Sequence, residues 1–191
     1  MRLFLLIFLS VSVIPAFSLE RYDLFCRKDL LERSEYHCIQ QTGTVEKSDK
    51  NDGEVIKYQR AVGLDQGDAY CAAGVYWCFL MAANDLGLKR QEIPIKRTAV
   101  ANEIYSDARK RGDIEKYLPE RHCLIVWRKK RSWRGHIERI IGVKKAGWVV
   151  TVGFNTVNSK GEQGVFIKKR NIFHPLGRLA IRGMVGFKEK E

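Results

Sequence analysis

The spacing of apolar positions changes from helix-like to strand-like along this chain. In the first half, apolar residues recur at intervals of three and four, which predicts helices. The predicted helices are Arg21–Gln40, Glu54–Val62, Cys71–Asp85 and Thr98–Arg111. After Glu120 apolar and polar positions alternate, which predicts strands. The predicted strands are Cys123–Trp127, His136–Gly142, Trp148–Phe154, Gly164–Lys169 and Gly183–Phe187. Helices followed by antiparallel strands predict an α+β fold.

Residues 1–18 differ in character from the rest. They combine a basic start at Arg2, an apolar run at Leu3–Val13 and small residues at Ala16 and Ser18. This pattern predicts a signal peptide cleaved after Ser18, and hence an exported protein, periplasmic or secreted. The apolar run is short for a membrane span, so we expect no stable span, with an uncleaved anchor as the alternative.

The chain is strongly basic, with 34 Lys and Arg against 22 Asp and Glu, a net charge of +12. Such a charge indicates an anionic partner, unless it only solvates the surface. Export argues against nucleic acid and favours an anionic cell-wall surface or a membrane surface. The length of the chain suits one domain with one core, and we expect a monomer.

The chain has five cysteines, an odd number for an exported protein. Two disulfides, Cys26–Cys38 and Cys78–Cys123, would leave Cys71 free. The alternative is that these cysteines are small buried hydrophobic residues. The spacing of Cys and His does not match zinc-ligand patterns, so we expect no metal and no cofactor.

Cys71 lies at a position that suits a nucleophile, the start of a helix. It follows a turn-forming segment and opens the predicted apolar helix Cys71–Asp85. The unpaired N–H groups at a helix start stabilise an anion, which favours the nucleophilic thiolate form of a cysteine. Cys71 is therefore the candidate nucleophile.

A thiol that attacks an amide needs a base, and the base needs a residue that orients it. Among four histidines, His136 is the candidate base, because Gly135 before it allows a substrate to approach closely; the alternative is a structural histidine. Asn155 ends the next strand. If the two strands form a hairpin, its amide carbonyl can accept the second imidazole N–H and fix the tautomer. The alternative for Asn155 is a turn residue.

Five segments occur in an order that resembles a known family. They are Asn51–Gln59, Tyr70–Ala73, Tyr76–Phe79, Gly135–Ile137 and Phe154–Thr156. In residues and order they resemble the CHAP-type cysteine, histidine-dependent amidohydrolases/peptidases of the NlpC-like and papain-like group. The resemblance runs from about residue 45 to residue 187.

The resemblance implies a papain-like fold, with the nucleophile at the start of a central helix that packs on a five- to six-stranded antiparallel sheet. Residues 45–191 would form this domain and residues 19–44 an N-terminal helical extension. The implied activity is hydrolysis of an amide bond in peptidoglycan through an acyl-enzyme thioester. The enzyme would be a stem-peptide endopeptidase or an N-acetylmuramoyl-L-alanine amidase.

By the same resemblance, Cys71 is the nucleophile, His136 the base and Asn155 the orienting residue. The backbone N–H of Cys71, with the Tyr70 side chain, would stabilise the oxyanion. Two alternatives stay open. One is a catalytically weak or inactive wall-binding protein on the same scaffold, and the other is a cysteine peptidase that acts on proteins.

The chain departs from the family pattern at three places. Gly153 stands where a Glu is frequent, which removes a carboxylate that assists the histidine. Gly74 stands where Phe is frequent, and since glycine costs about 1 kcal/mol in a helix interior, we expect it to make room for another group. The histidine strand contains Glu138 and Arg139. Alternation places Glu138 on the His136 face, where it either replaces the lost carboxylate or pairs with a basic residue.

A basic run, Arg128–Arg134, immediately precedes Gly135 and His136. One interpretation is a solvated hairpin tip. The other is a substrate-binding element, in which Arg134 grips carboxylates of the stem peptide and Trp133 lies on a sugar ring.

Overall fold

The structure, a computed structural model, describes residues 19–116 and 118–189. The predicted signal peptide, residues 1–18, lies outside the described residues. The strands are β1 (Glu20–Cys26), β2 (Asp113–Lys116), β3 (Leu124–Arg128), β4 (Gly135–Val143), β5 (Trp148–Val157), β6 (Gln163–Asn171) and β7 (Ala180–Glu189). The α-helices are α1 (Lys28–Gln40), α2 (Ile56–Val62), α3 (Cys71–Asp85) and α4 (Ala101–Arg111). Single 3₁₀ turns occur at Gly53–Val55 and Arg90–Glu92.

The seven strands of the described residues form one sheet, in the order β2-β1-β7-β3-β4-β5-β6. The α+β class is confirmed. The expected five to six antiparallel strands are wrong, because the sheet has seven strands and β1 runs parallel to β7. The five predicted strands correspond to β3–β7. The two additional strands, β1 and β2, pair with each other at one edge.

The first part of the predicted helix Arg21–Gln40 is the strand β1. Tyr22 and Leu24 point into the core, and Arg21 forms a buried ion pair with Asp23. The charged pair alternates with these two apolar residues and lies on the opposite face of the strand. This alternation covers only four residues, too few to outweigh the helical spacing of the segment that follows. Residues 19–44, predicted to be a helical extension, thus contribute a strand to the sheet and a helix, α1, that packs on α3.

The other predicted helices correspond to α2, α3 and α4. The last begins at Ala101 rather than at Thr98, because the Thr98 hydroxyl accepts a hydrogen bond from the Val100 N–H (3.1 Å) before the helix starts. Among the described residues, no helix combines the length and the apolar character that crossing a bilayer requires.

Buried apolar residues cover both faces of the central strands, and the cysteines are divided between these two faces. Along β3, Leu124 and Val126 join α3 in the main core, whereas Cys123 belongs to a smaller cluster on the opposite face. All five cysteines are buried and unpaired, so neither expected disulfide is present. Cys78 belongs to the main core and therefore cannot reach Cys123.

Gly74 allows the first turns of α3 to lie directly against β5. A Cβ at this position would overlap the ring of Phe154, which is completely buried. The expectation that Gly74 makes room for another group is confirmed, and the group is Phe154. This contact fixes the N-terminal end of α3, and with it Cys71, against the strand that follows β4.

Candidate active site

Cys71 is the first residue of α3 and lies in the wall of an open cleft. Tyr70, at the N-cap, makes no side-chain capping bond, so the N–H groups of the first turn stay available to an anion. The cleft has a volume of about 400 Å³. Residues 67–69, 99–101 and 133–135 line it together with Cys71.

His136 lies at the start of β4, close enough to Cys71 for the thiol to raise the pKa of its ring. Its ring is buried, and Nε2 lies 3.0 Å from Oε1 of Glu138. Nδ1 is therefore the nitrogen left for Cys71. Burial alone would lower the pKa of His136, but hydrogen bonds and charge from Cys71 and Glu138 outweigh it and raise the pKa to about 9.

Glu138 is completely buried and fully partnered. Its Oε2 accepts a hydrogen bond from the Thr151 hydroxyl (2.6 Å). Arg170, two strands away on β6, donates from Nη2 to Oε1 (2.6 Å) and from Nε to Oε2 (3.0 Å). Burial would raise the pKa of Glu138, but His136 and Arg170 lower it to about 2. Glu138 thus bonds His136, as a replacement for the lost carboxylate would, and also pairs with a basic residue.

Gly153 leaves the space that the Glu138 carboxylate occupies. The two residues are direct partners across β4 and β5. A Cβ on Gly153 would lie 2.8 Å from Oε1 of Glu138 and 2.7 Å from Cγ2 of Thr156. The space beside Gly153 is therefore filled by a carboxylate from the neighbouring strand.

Asn155 does not orient His136, and this corrects the expected role. The hairpin of β4 and β5 is present, but the register of β5 shifts between Gly153 and Thr156 and Asn155 has a left-handed φ of 55°. This local twist carries its side chain to Asn51, whose Oδ1 accepts from Nδ2 of Asn155 (2.8 Å). Asn51 in turn donates to the carbonyl of Gly67 (2.9 Å), so Asn155 helps to hold the loop before α3.

The Tyr70 side chain is not placed for the expected oxyanion role. Its ring is completely buried and stacks on Tyr58 with centroids 5.7 Å apart. Its hydroxyl donates to Oε1 of Glu46 (2.9 Å). Because that proton is used inside the core, the backbone N–H of Cys71 is the donor left for an oxyanion.

Trp133 and Arg134 lie in the cleft wall, on the turn between β3 and β4. Both side chains are exposed, and the turn is closed by the N–H of Lys129, which donates to the carbonyl of Arg134 (2.9 Å).

The sequence did not reveal Thr151 and Arg170 as partners of Glu138. The available signal was Glu138 itself, because a carboxylate on an inward-facing strand position needs buried partners.

We expect the raised pKa of His136 to be measurable as an NMR titration of its ring near pH 9. Its protonated form then contributes stability that is fully present below about pH 6.5 and is lost as the pH rises through 9. Glu138→Gln removes a negative charge and should move this titration to lower pH. A titration near pH 6.5 in the unchanged protein would contradict the geometry.

The site contains the parts that nucleophilic hydrolysis of an acyl compound requires. These are a thiol at a helix start, an imidazole held by a buried carboxylate, and an open cleft beside them. Comparison with protein-family models, with curated proteins and with solved structures found no significant match to this chain. The function is therefore argued from the site and the sequence.

Proposed function

We propose that this protein is an exported peptidoglycan hydrolase that cleaves an amide bond through Cys71, His136 and Glu138. The observation that carries the proposal is the buried His136–Glu138 pair beside a thiol at the start of α3. A buried carboxylate bound to the far nitrogen of an imidazole favours the imidazolium form, and this in turn favours a thiolate next to it. These features support a thiol hydrolase of the papain-like type.

In the first half of the proposed reaction, the Cys71 thiolate attacks the carbonyl carbon of the amide. The C–S bond forms, and the carbonyl electron pair moves onto oxygen, which the N–H of Cys71 and the positive end of α3 stabilise. When the C–N bond breaks, the His136 imidazolium donates its proton to the departing amine. The products of this half are a thioester on Cys71 and a free amine.

In the second half, neutral His136 takes a proton from a water molecule that attacks the thioester carbonyl. The C–S bond then breaks, the acid product leaves and gives its remaining proton to the solvent, and the thiolate and imidazolium are restored. Glu138 keeps its negative charge throughout and holds the ring in one orientation. Arg170 and Thr151 keep that carboxylate ionised in the core.

Peptidoglycan as the substrate is supported by sequence features around this site. The resemblance to CHAP-type enzymes covers the cysteine and histidine segments. The net charge of +12 suits an anionic wall, and Arg134 at the cleft can bind carboxylates of the stem peptide. A peptidase for proteins in general has no comparable need for this charge.

The proposal is tested by incubating purified protein with isolated sacculi. We expect the unchanged protein to release soluble muropeptide fragments, and Cys71→Ala to release none while still binding sacculi. Cys123→Ala is the matched control, because it removes a buried thiol on the opposite side of the sheet and should leave release unchanged.

Three results would count against the proposal. Equal binding without release by both proteins would indicate a wall-binding protein on an inactive scaffold. Cleavage of denatured casein in preference to sacculi would indicate a protein peptidase. Release that persists in Cys71→Ala would exclude Cys71 as the nucleophile.

A further inference from the structure

Trp133 is an exposed aromatic side chain in the wall of the cleft that contains Cys71. Its side chain is 70% exposed, although a tryptophan usually buries most of its surface. It shares a cavity of about 400 Å³ with Cys71. A ring in this place is available to whatever lies over the thiol.

The backbone that carries Trp133 is held by a buried polar network. Asn102 of α4 is buried and donates from Nδ2 to the carbonyl of Trp133 (2.8 Å). The Asn102 Oδ1 accepts from Nη1 of Arg182 (2.8 Å), and Arg182 also donates to the Ser106 hydroxyl (2.9 Å). A Cβ on Gly135 would lie 2.9 Å from the Asn102 amide nitrogen, so this approach requires a glycine.

The network fixes the backbone under an indole ring that remains in solvent. A ring held in advance loses little conformational freedom when a ligand covers it, which is the arrangement expected of a binding platform. A loop that only has to stay solvated does not need its carbonyls bonded to a buried asparagine that an arginine in turn holds in place.

The surroundings of the indole ring favour a sugar over an apolar side chain. Asp68 lines the same cavity and is exposed, and the guanidinium of Arg134 lies 5.9 Å from the centre of the Trp133 ring. A pyranose has an apolar C–H face, which packs on the negative face of an indole, and hydroxyl groups around its edge, which need donors and acceptors. An apolar side chain would instead need an enclosed apolar pocket.

We propose that Trp133 binds the apolar face of a pyranose ring, with Arg134 and Asp68 bonding groups at its edge. This inference rests on the proposed function, and it specifies the substrate as a stem peptide still attached to its sugar. Because Trp133 and Cys71 line one cavity, the amide that is cleaved lies close to that sugar. The site therefore discriminates against free stem peptides.

The test measures binding to the full-length Cys71→Ala protein, so it does not require turnover. The probes are a disaccharide–tetrapeptide muropeptide and the same tetrapeptide without sugar. We expect the muropeptide to bind about tenfold more tightly than the free peptide. Trp133→Ala should remove this difference, and Trp133→Phe should keep part of it. Lys160→Ala, at an exposed lysine on the turn between β5 and β6 and outside the cleft, is the control and should change neither affinity.

Equal affinity for the two probes would overturn the proposal, and so would a sugar-dependent difference that survives Trp133→Ala. Absence of binding by both probes at millimolar concentration would overturn it as well. If the sugar-dependent difference is present but sacculi are never hydrolysed, the proposed activity fails and the sugar site stands. The two failures are thus distinguishable.

Discussion

Replacing Glu138 with glutamine is expected to lower kcat/KM on muropeptides by about 10²- to 10⁴-fold, the range that acid–base groups contribute. The glutamine keeps the volume of the side chain but removes the charge that keeps His136 protonated. It can also donate to Nε2 and so favour the wrong tautomer of the ring. The alkaline limb of the pH–rate profile should move down from about pH 9, because the carboxylate raises the pKa of His136.

Asn155→Ala is the variant to compare with Glu138→Gln, because the resemblance to CHAP-type enzymes assigns the orienting role to Asn155. In this chain its amide bonds Asn51 and not His136. We expect a loss below about tenfold, from loosening of the loop before α3. The pH–rate profile should keep its alkaline limb. An Asn155→Ala variant as damaged as Glu138→Gln, with the same shift of the limb, would restore Asn155 to the family role.

The sequence predicted those parts of the fold that depend on neighbours along the chain. The start of α3 and the position of Cys71 follow from local helical spacing and a preceding turn. The strands β3 to β7 follow from alternation. β1 was missed because its strand character depends on pairing with β7, at the other end of the chain, and because its alternation from Arg21 to Leu24 is too short to distinguish it from the helical segment that follows.

The candidate site was predictable only in part for the same reason. Cys71 and His136 each stand in a recognisable local motif. The choice between Asn155 and Glu138 depends on two tertiary features, the shift of register in β5 and the pairing of Glu138 with Gly153. Arg170 reaches Glu138 from two strands away, a distance that no local pattern encodes.

Moving the carboxylate back to the family position tests this account of Gly153. We expect Gly153→Glu alone to lower the free energy of unfolding by about 3 kcal/mol or more. Its Cβ would crowd Oε1 of Glu138 and the methyl group of Thr156, and a second carboxylate would be buried beside the first. Thermal and denaturant unfolding measure the loss.

The double variant Glu138→Ala and Gly153→Glu should recover most of that stability, because only one carboxylate then occupies the space between β4 and β5. It should also recover part of the activity that Glu138→Ala loses, since His136 and Arg170 again have an anion within reach. Glu138→Ala alone is the matched control. A Gly153→Glu protein as stable as the unchanged one would show that Glu138 does not fill this space. A double variant no more active than Glu138→Ala would show that the carboxylate acts only from β4.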